Sequence, residues 1–116
     1  MSPVNYNENH KPILDSFLLD HPLVSPGKMY GHPAYYVSGK MFASLFGEGV
    51  CLKIPEKRVK ELLQKEYVAP FEPRGRKMRE WILLVRENPE DYLKDKEIFE
   101  ESIDFVFSIA KKKTRK

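Results

Sequence analysis

A cluster of basic residues beside a tryptophan is the feature of this sequence best suited to chemistry. The cluster consists of Arg74, Arg76, Lys77 and Arg79. Cations of this kind bind phosphate groups, and the ring of Trp81 is suited to stacking on a nucleobase. An ordinary solvated turn is the competing interpretation, because Glu72 and Glu80 interrupt the positive charge and Trp81 also suits a protein core. We keep the cluster as a candidate contact surface for nucleic acid or for a protein partner.

The C-terminal end of the sequence carries a second basic cluster. Its members are Lys111, Lys112, Lys113, Arg115 and Lys116. These cations are suited to nucleic-acid binding. They are equally suited to the last turn of a helix, whose carbonyl end favours positive charge, and to keeping that end in solvent. We expect the second role and treat residues 111–116 as a basic tail.

A group of aromatic residues around a histidine is another candidate site. The group comprises Tyr30, His32, Tyr35, Tyr36 and Phe42. Aromatic side chains on neighbouring strands can line a pocket for a small ligand, although on strands they more often belong to a core or an interface. We take Tyr30, His32 and Tyr35 as a candidate ligand cleft. A small-molecule-binding domain or an unrecognised enzyme is the alternative function that this cleft implies.

The other reactive residue types lack the spacing that metal binding or catalysis requires. The histidines, His10, His21 and His32, show neither an i,i+4 pair nor a paired-cysteine motif. Cys51 lies on a predicted strand, opposite its apolar face, which is the position of a packing thiol or a partly exposed one. We therefore expect a non-enzymatic protein with no metal and no other cofactor.

Length and composition are those of one ordinary globular domain. The chain has 116 residues, 41% of them hydrophobic and 32% charged, and a formal net charge of +3. Its longest wholly apolar run, Trp81 to Val85, is far shorter than the roughly 20 residues that span a bilayer, so no membrane contact is expected. No secretory pattern opens the sequence, and the single Cys51 cannot form an intramolecular disulfide. A cytoplasmic location is expected.

The elements that position these residues begin with Gly27 to Ile54, which is predicted to form three or four short antiparallel strands. Ser38-Gly39, between two runs of aromatic and β-branched residues, is typical of a hairpin turn. A second turn at Gly47 to Gly49 leads into a strand with alternating hydrophobicity. The apolar face of that strand comprises Val50, Leu52 and Ile54.

Three helices are predicted around this sheet. They are expected at His10 to Asp20, Pro55 to Lys65 and Asn88 to Lys113. Asn9 is the expected N-cap of the first helix and Asn88 that of the third, and Pro55 suits the first turn of the second. Each helix carries an apolar stripe, and the stripe of the third covers most of its circumference.

Two further strands follow the second helix. Tyr67 to Glu72 is predicted to be an edge or irregular strand, because Pro70 has no N–H to donate to a central ladder. Lys77 to Val85 is the strongest predicted strand, with apolar residues on both faces. These elements predict a two-layer α+β domain, with three helices packed on an antiparallel sheet of five or six strands. We expect it to span residues 9–110, after a flexible leader of residues 1–8.

Two of these predictions indicate self-association. The strand ending at Val85 has two apolar faces, and the third helix has a stripe too wide for one contact surface. Three helices on a small sheet leave part of one sheet face to be covered. A homodimer is the simplest source of that cover, and a monomer whose first and third helices cover everything is the alternative.

A series of short motifs, in order, carries a resemblance to a known family. The motifs are Met29-Tyr30-Gly31, Tyr36 to Phe42 (YVSGKMF), Leu45-Phe46, Gly49-Val50, Leu52 to Ile54, Pro70 to Pro73 (PFEP) and Gly75 to Trp81 (GRKMREW). Through them the chain resembles the N-terminal domain of the TfoX/Sxy competence-regulator family over roughly Gly27 to Ala110. It departs from the family pattern at Tyr30, where phenylalanine is common, and at His32, where glycine is common.

The resemblance implies an α+β domain with a curved antiparallel sheet, in agreement with the fold predicted from the residues, and it implies no catalytic residues. Full-length family members add a C-terminal domain of helix-hairpin-helix character, and we expect this chain to be a stand-alone N-terminal domain. His32 takes the place of a smaller family residue, so with Tyr30 and Tyr35 it ranks next after the basic turn as a candidate site. The leading functional hypothesis is a regulatory interaction module that acts through protein contacts or weak nucleic-acid binding.

Overall fold

The protein forms a six-stranded antiparallel sheet with helices packed on it, which confirms the predicted α+β class. The computed structural model describes residues 6–114, with side chains as far as Lys111. The spatial order of the strands is β1-β2-β3-β4-β6-β5. Their bounds are β1 Val24–Met29, β2 His32–Val37, β3 Lys40–Phe46, β4 Gly49–Lys53, β5 Val68–Pro70 and β6 Trp81–Val85.

Three α-helices and two 3₁₀ helices complete the described chain. The α-helices are α1 Lys11–Leu18, α2 Glu56–Leu62 and α3 Lys96–Thr114, and the 3₁₀ helices are Glu8–His10 and Pro89–Asp95. The expected N-cap at Asn9 is wrong. The side chain of Asn7 instead accepts a hydrogen bond from the backbone N–H of Asn9 at 2.9 Å and begins the first 3₁₀ helix.

Part of the predicted leader is in contact with the sheet. Tyr6 forms a parallel bridge with Gly47, and the amide of Asn7 donates to the carboxylate of Glu48 at 2.9 Å. These contacts tie residues 6–8 to the turn between β3 and β4. Residues 1–5 lie outside the described residues.

The hairpin turn predicted at Ser38-Gly39 is confirmed, and a second turn of the same kind joins β1 to β2. Ser38 and Gly39 have φ values of 52° and 80°, and Tyr30 and Gly31 have 53° and 81°. Two successive residues with positive φ are typical of the tight turns whose twist matches that of paired strands. Glycine adopts this conformation freely, whereas a tyrosine or a serine does so at a cost in free energy.

A β-bulge in β3 decides which side chains reach each face of the sheet. Tyr35 pairs with Ala43 and Tyr36 pairs with Met41, so Phe42 has no partner on β2. The extra residue allows both Phe42 and Ala43 to join the buried core. Met41, which pairs with Tyr36, points to the opposite face of the sheet.

The strand predicted at Lys77 to Val85 is wrong in its first half. β6 begins at Trp81, where it pairs with Lys53 at the end of β4. The last backbone contact of this pair is the N–H of Ile54, which donates to the carbonyl of Glu80 at 2.9 Å. Beyond it the chain turns into α2 at Pro55, so residues 77–79 have no strand beside them. They belong instead to a loop that folds back on itself, in which the N–H of Met78 donates to the carbonyl of Phe71 at 3.0 Å.

The third predicted helix is two elements rather than one. Asn88 is confirmed as an N-cap, accepting from the N–H of Glu90 at 3.1 Å, but the first seven residues form a 3₁₀ helix and α3 starts at Lys96. An ion pair holds the end of this 3₁₀ helix. The guanidinium of Arg86 donates to both carboxylate oxygens of the buried Asp95, at 2.7 and 2.9 Å.

The hydrophobic core lies between the helices and one face of the sheet. That face presents Tyr35, Ala43, Leu45, Val50, Leu52, Ile82 and Leu84, all of them buried. The register explains the set, because directly paired residues on neighbouring strands point to the same side. α3 contacts β2, β3 and β4, and α2 contacts β6. We call this side the helix-covered face, and the other side the open face.

Candidate binding groove on the open sheet face

Alternation along the strands gives the open face its own set of side chains. Ala34 pairs with Ser44, and Ser44 pairs with Cys51, which in turn pairs with Leu83. This row is out of phase with the core residues, so it points away from the helices. The loop between β5 and β6 folds over one end of the row. Between the loop and the strands lies a groove of about 710 Å³.

The walls of this groove, which we call the open-face groove, are mainly apolar. They include Phe46 from β3, Phe71 from the loop and three of the four methionines of the chain, Met29, Met41 and Met78. The rings of Phe46 and Phe71 meet edge to face, with centroids 5.0 Å apart. Methionine side chains are flexible and polarisable, so they adapt to ligands of different shapes.

His32 lies in the wall of the groove with its ring orientation fixed. Its Nδ1 is 2.8 Å from the carbonyl oxygen of Leu45, and its ring is held between Tyr6 and Phe46 at centroid distances of 5.2 and 5.9 Å. A carbonyl oxygen accepts hydrogen bonds and cannot donate them. Nδ1 is therefore the protonated nitrogen, and in the neutral ring Nε2 presents a lone pair.

The predicted basic cluster is divided by the loop that carries it. Arg74 and Arg76 line the open-face groove. Arg76 also lines a shallower hollow of about 500 Å³ on the other side of the loop, together with Lys77 and Arg79. That hollow contains two carboxylates, whereas the open-face groove is lined by none of the described Asp or Glu residues. The groove therefore differs from the hollow in presenting its cations with no competing acid among the lining residues.

The cations of the cluster are available for a partner. Arg74, Arg76, Lys77 and Arg79 are all exposed, and within residues 6–114 none of their side chains takes part in an ion pair or a hydrogen bond. Of the two acids that interrupt the cluster in sequence, Glu80 is bound to Lys53 at 3.2 Å. Trp81, expected to suit either stacking or the core, is half-buried 5.8 Å from Phe71.

Of the predicted ligand cleft, Tyr30 and His32 lie together and Tyr35 does not. Tyr30 is 86% exposed at the β1–β2 turn and lines the groove. Tyr35 is buried on the helix-covered face, where its hydroxyl donates to Asp15 at 2.6 Å. Burial, and then the hydrogen bond to Asp15, raise the pKa of Tyr35 above its ordinary value. The predicted cleft grouped His32 and Tyr35 because they are close in the chain. On a strand, side chains an odd number of residues apart point to opposite faces, so the two residues of β2 are separated by the sheet.

The other two aromatic residues of the predicted group are also engaged elsewhere. Phe42 is in the core, as the bulge requires. The hydroxyl of Tyr36 donates to the carbonyl of Lys28 at 2.8 Å across the β1–β2 pair. Both therefore stabilise the sheet, in agreement with the interpretation of strand aromatics as structural residues.

Cys51 lies beneath the groove but is closed to reagents. Its side chain is 2% exposed, and burial raises the pKa of the thiol to about 12. A protonated, buried thiol is a poor nucleophile. The nearby Ser44 hydroxyl donates to the carbonyls of Pro33 and Leu45, at 3.2 and 3.3 Å. Both residues therefore have the surroundings of packing groups.

The other two histidines have structural partners. His10 is buried with Nδ1 2.9 Å from the hydroxyl of Tyr92, and desolvation lowers its pKa below the ordinary value. His21 accepts from the N–H of Leu23 and lies 3.3 Å from the carboxylate of Glu100. Among the His, Cys, Asp and Glu residues of the described chain, no group of three or more is placed to hold a metal ion.

Most of the predicted basic tail lies outside the described residues. Lys111 continues α3, with its ammonium group 5.6 Å from the ring centroid of Phe107. Residues 115 and 116 are beyond the described chain, as are the side chains from residue 112 onward. Within residues 6–114, no helix combines the length and the apolarity needed to cross a membrane.

Sequence reasoning missed most of the groove. The parity of β3 and β4 places Phe46 on the same side as Ser44 and Cys51, so that residue was accessible from the pattern. Phe71 and Met78 were not, because they reach the sheet only through the folding back of their loop. No sequence signal marks that conformation.

Comparison with protein-family models, with curated proteins and with solved structures found no match to this chain. The groove is thus characterised by its own residues: an apolar and methionine-rich floor, two free guanidinium groups and one histidine of defined tautomer.

Proposed function

We propose that this protein is a non-enzymatic interaction module that binds an anionic partner, nucleic acid, on the open face of its sheet. The observation that carries the proposal is the set of exposed cations around the open-face groove, none of which has an ionic partner among the described residues. Guanidinium groups bind phosphate with two parallel hydrogen bonds, and apolar and aromatic walls accept unpaired bases. A regulatory role, a cytoplasmic location and membership of the TfoX/Sxy N-terminal family are parts of the same proposal.

The chemistry of the groove supports binding rather than catalysis. A nucleophile needs a base within hydrogen-bonding reach and a favourable pKa. The thiol of Cys51 is held protonated, and the hydroxyl of Ser44 is directed at backbone carbonyls. Arg74 and Arg76, which have no ionic partner among the described residues, are suited to holding an anion.

Fluorescence anisotropy with labelled single-stranded and duplex oligonucleotides tests the proposal. We expect affinity that falls steeply with salt, because bound phosphates release their counterions. Arg74→Ala with Arg76→Ala should weaken binding and reduce the slope of log K against log salt by about 1 to 2. Lys57→Ala with Lys60→Ala, which removes two exposed cations from α2, is the matched control and should change binding little. Absence of binding at low salt, or equal losses in the two double variants, would remove the assignment.

Small-molecule binding in the same groove is the second candidate. Its volume of about 710 Å³ lies within the range of roughly 300–1,000 Å³ that is usual for small-ligand sites. The free Nε2 of His32 gives such a ligand a specific polar contact. A ligand that raises the melting temperature of the wild type and not of His32→Ala would favour this candidate.

Homodimerisation remains a prediction, with two surfaces to support it. The outer side of β6 leaves Leu83 and Val85 half-buried, and α3 leaves Phe105, Phe107 and Ile109 half-buried. Light scattering over a range of concentrations should give the mass of two chains. A mass of one chain at every concentration would contradict the prediction.

A further inference from the structure

The open-face groove combines three chemical features that are found together in one class of ligand. The first is the acceptor on His32. Its Nδ1 donates to the carbonyl of Leu45, and its Nε2 has no hydrogen bond to any residue of the described chain. Every fully buried side-chain nitrogen or oxygen of the described residues has a hydrogen-bond partner, so an Nε2 without one is not fully buried. Nε2 is therefore accessible, and in the neutral ring it requires a donor on the ligand.

The second feature is a place for an anion. Arg74 and Arg76 reach the groove with their guanidinium groups unpaired among residues 6–114, and no carboxylate of the described residues lines the groove to compete with a ligand. The planar fork of arginine matches the oxygens of a phosphate or a carboxylate. A ligand with one anionic group satisfies this end of the site.

The third feature is an apolar surface suited to a flat ring. Phe46 and Phe71 form an edge-to-face pair, and Met29, Met41 and Met78 surround it. Sulfur atoms and ring edges contact an aromatic ligand favourably. A long aliphatic chain would fill the same space but would leave Nε2 of His32 without a partner, and desolvating an unpaired acceptor is costly.

We propose that the open-face groove binds one nucleotide unit, with the base against the apolar wall, a ring N–H or amino group donating to His32 Nε2, and the phosphate at Arg74 and Arg76. This inference rests on the proposed function and deepens it. The same chemistry is offered by a free nucleotide and by an unpaired nucleotide within a single strand, and the experiment separates these two sources.

A matched pair of ligands tests the base contact without altering the protein. Uridine 5′-monophosphate has one ring N–H, and 3-methyluridine 5′-monophosphate replaces that hydrogen with a methyl group. Isothermal titration should show binding of the first and a loss of about three- to tenfold for the second, the range expected for one hydrogen bond. Ribose 5-phosphate, which lacks the base, should bind about tenfold more weakly or worse.

Two variants assign the contacts. His32→Phe keeps an aromatic ring beside Tyr6 and Phe46 and removes the acceptor, so it should abolish the difference between the two uridine ligands. Arg76→Ala, at an exposed loop position, should weaken both ligands by the same factor and leave their ratio unchanged. Thermal melting of each variant establishes whether it is folded. If His32→Phe does not fold, the two uridine ligands with the wild-type protein still test the inference.

The source of the nucleotide is read from a short oligouridylate. If the oligouridylate binds more tightly and with a steeper salt dependence than uridine 5′-monophosphate, and each displaces the other, the ligand is a single strand. If the two bind with equal affinity, the ligand is the free nucleotide. Three results would overturn the inference. The first is equal binding of the two uridine ligands to the wild type, and the second is binding of ribose 5-phosphate as tight as that of the nucleotide. The third is binding of decanoate, an aliphatic carboxylate, by a protein that binds neither uridine ligand. Arginine-dependent oligonucleotide binding that the monophosphate does not displace would overturn this inference while leaving the proposed function standing.

Discussion

Beside the helices, Arg86 gives two hydrogen bonds to the buried Asp95 and stacks 3.5 Å above the ring of Tyr67. On the open face, Arg74 and Arg76 carry the same guanidinium group and are exposed without an ion pair in the described chain. The two environments differ in what they give the protein. A satisfied, buried pair fixes the position of the 3₁₀ helix, whereas unpaired cations contribute little to stability and remain free to bind.

The contrast extends to the whole sheet. The helix-covered face is a packed core in which polar groups such as Tyr35 and His10 have partners. The open-face groove carries Tyr30, which is exposed and has positive φ, the exposed Met78, and His32, whose Nε2 is a free acceptor. Strain and unsatisfied groups are characteristic of functional sites, where binding rather than stability is selected. We therefore expect substitutions on the two faces to separate folding from binding.

The largest expected effect is that of Arg86→Ala. Removal of the guanidinium leaves the carboxylate of Asp95, 2% exposed, without its partner, and breaking a buried pair of this kind costs about 3–5 kcal/mol of the free energy of unfolding. Urea denaturation measures this loss. Arg76→Ala is the matched arginine on the open face and should change the free energy of unfolding by about 0.5 kcal/mol or less.

Equal destabilisation by the two arginine variants would break the comparison, because it would place Arg76 in a structural network that the geometry does not contain. A stable Arg86→Ala variant would show instead that Asp95 finds water or another cation when its partner is removed.

A smaller effect of opposite sign is expected at the two hairpin turns. Tyr30→Asn and Ser38→Asn each place at positive φ a residue that tolerates it, beside a glycine, and each should raise the free energy of unfolding by about 0.5–1 kcal/mol. Tyr30 lines the groove and Ser38 does not. Tyr30→Asn should therefore also weaken oligonucleotide binding, while Ser38→Asn leaves it unchanged.

Measured unfolding curves and binding isotherms of this pair sharpen the comparison between stability and function. If Tyr30→Asn bound as tightly as the wild type, the strained tyrosine would have no part in the site. If it were destabilising, its ring would be needed for packing despite its exposure.

The smallest expected effect is the pH dependence contributed by His10. Desolvation holds the pKa of His10 below 6.5, and the opposing attraction of Glu48 is the weaker influence. The unfolded chain therefore binds a proton at this histidine before the folded protein does, so this contribution to stability is complete above about pH 6.5 and is lost as pH falls. Denaturation at about pH 7.5 and pH 5 should show a smaller acid loss in His10→Gln than in the wild type. The same loss in both would place the responsible titration elsewhere.

Local patterns in the sequence were sufficient for the sheet and its turns. The turn at Ser38-Gly39 and the alternation of Val50, Leu52 and Ile54 correctly located β3 and β4. Pro70 placed β5 correctly at an edge. These features depend on residues close together in the chain, where periodicity and turn chemistry are informative.

The errors at Lys77 and Asn88 arose where residues outside the predicted element contact it. The strand expected to begin at Lys77 begins only at Trp81, because residues 77–79 have no strand beside them. The helix expected from Asn88 opens as a 3₁₀ helix, whose last residue, Asp95, is bound by Arg86. In the site, His32 and the basic turn were found separately, but their meeting in one groove depends on a loop that folds back at Met78. Side chains brought together by such a loop leave no period in the sequence.

The most direct test of the central claim is to map oligonucleotide binding on the protein by amide chemical shifts. The account predicts perturbations confined to the open face, at His32, Met41 and Phe46 and in the loop around Arg74 and Arg76, with α2 and α3 unaffected. Perturbations centred on α3, or none at a saturating concentration of oligonucleotide, would contradict the assignment of the open-face groove as the binding site.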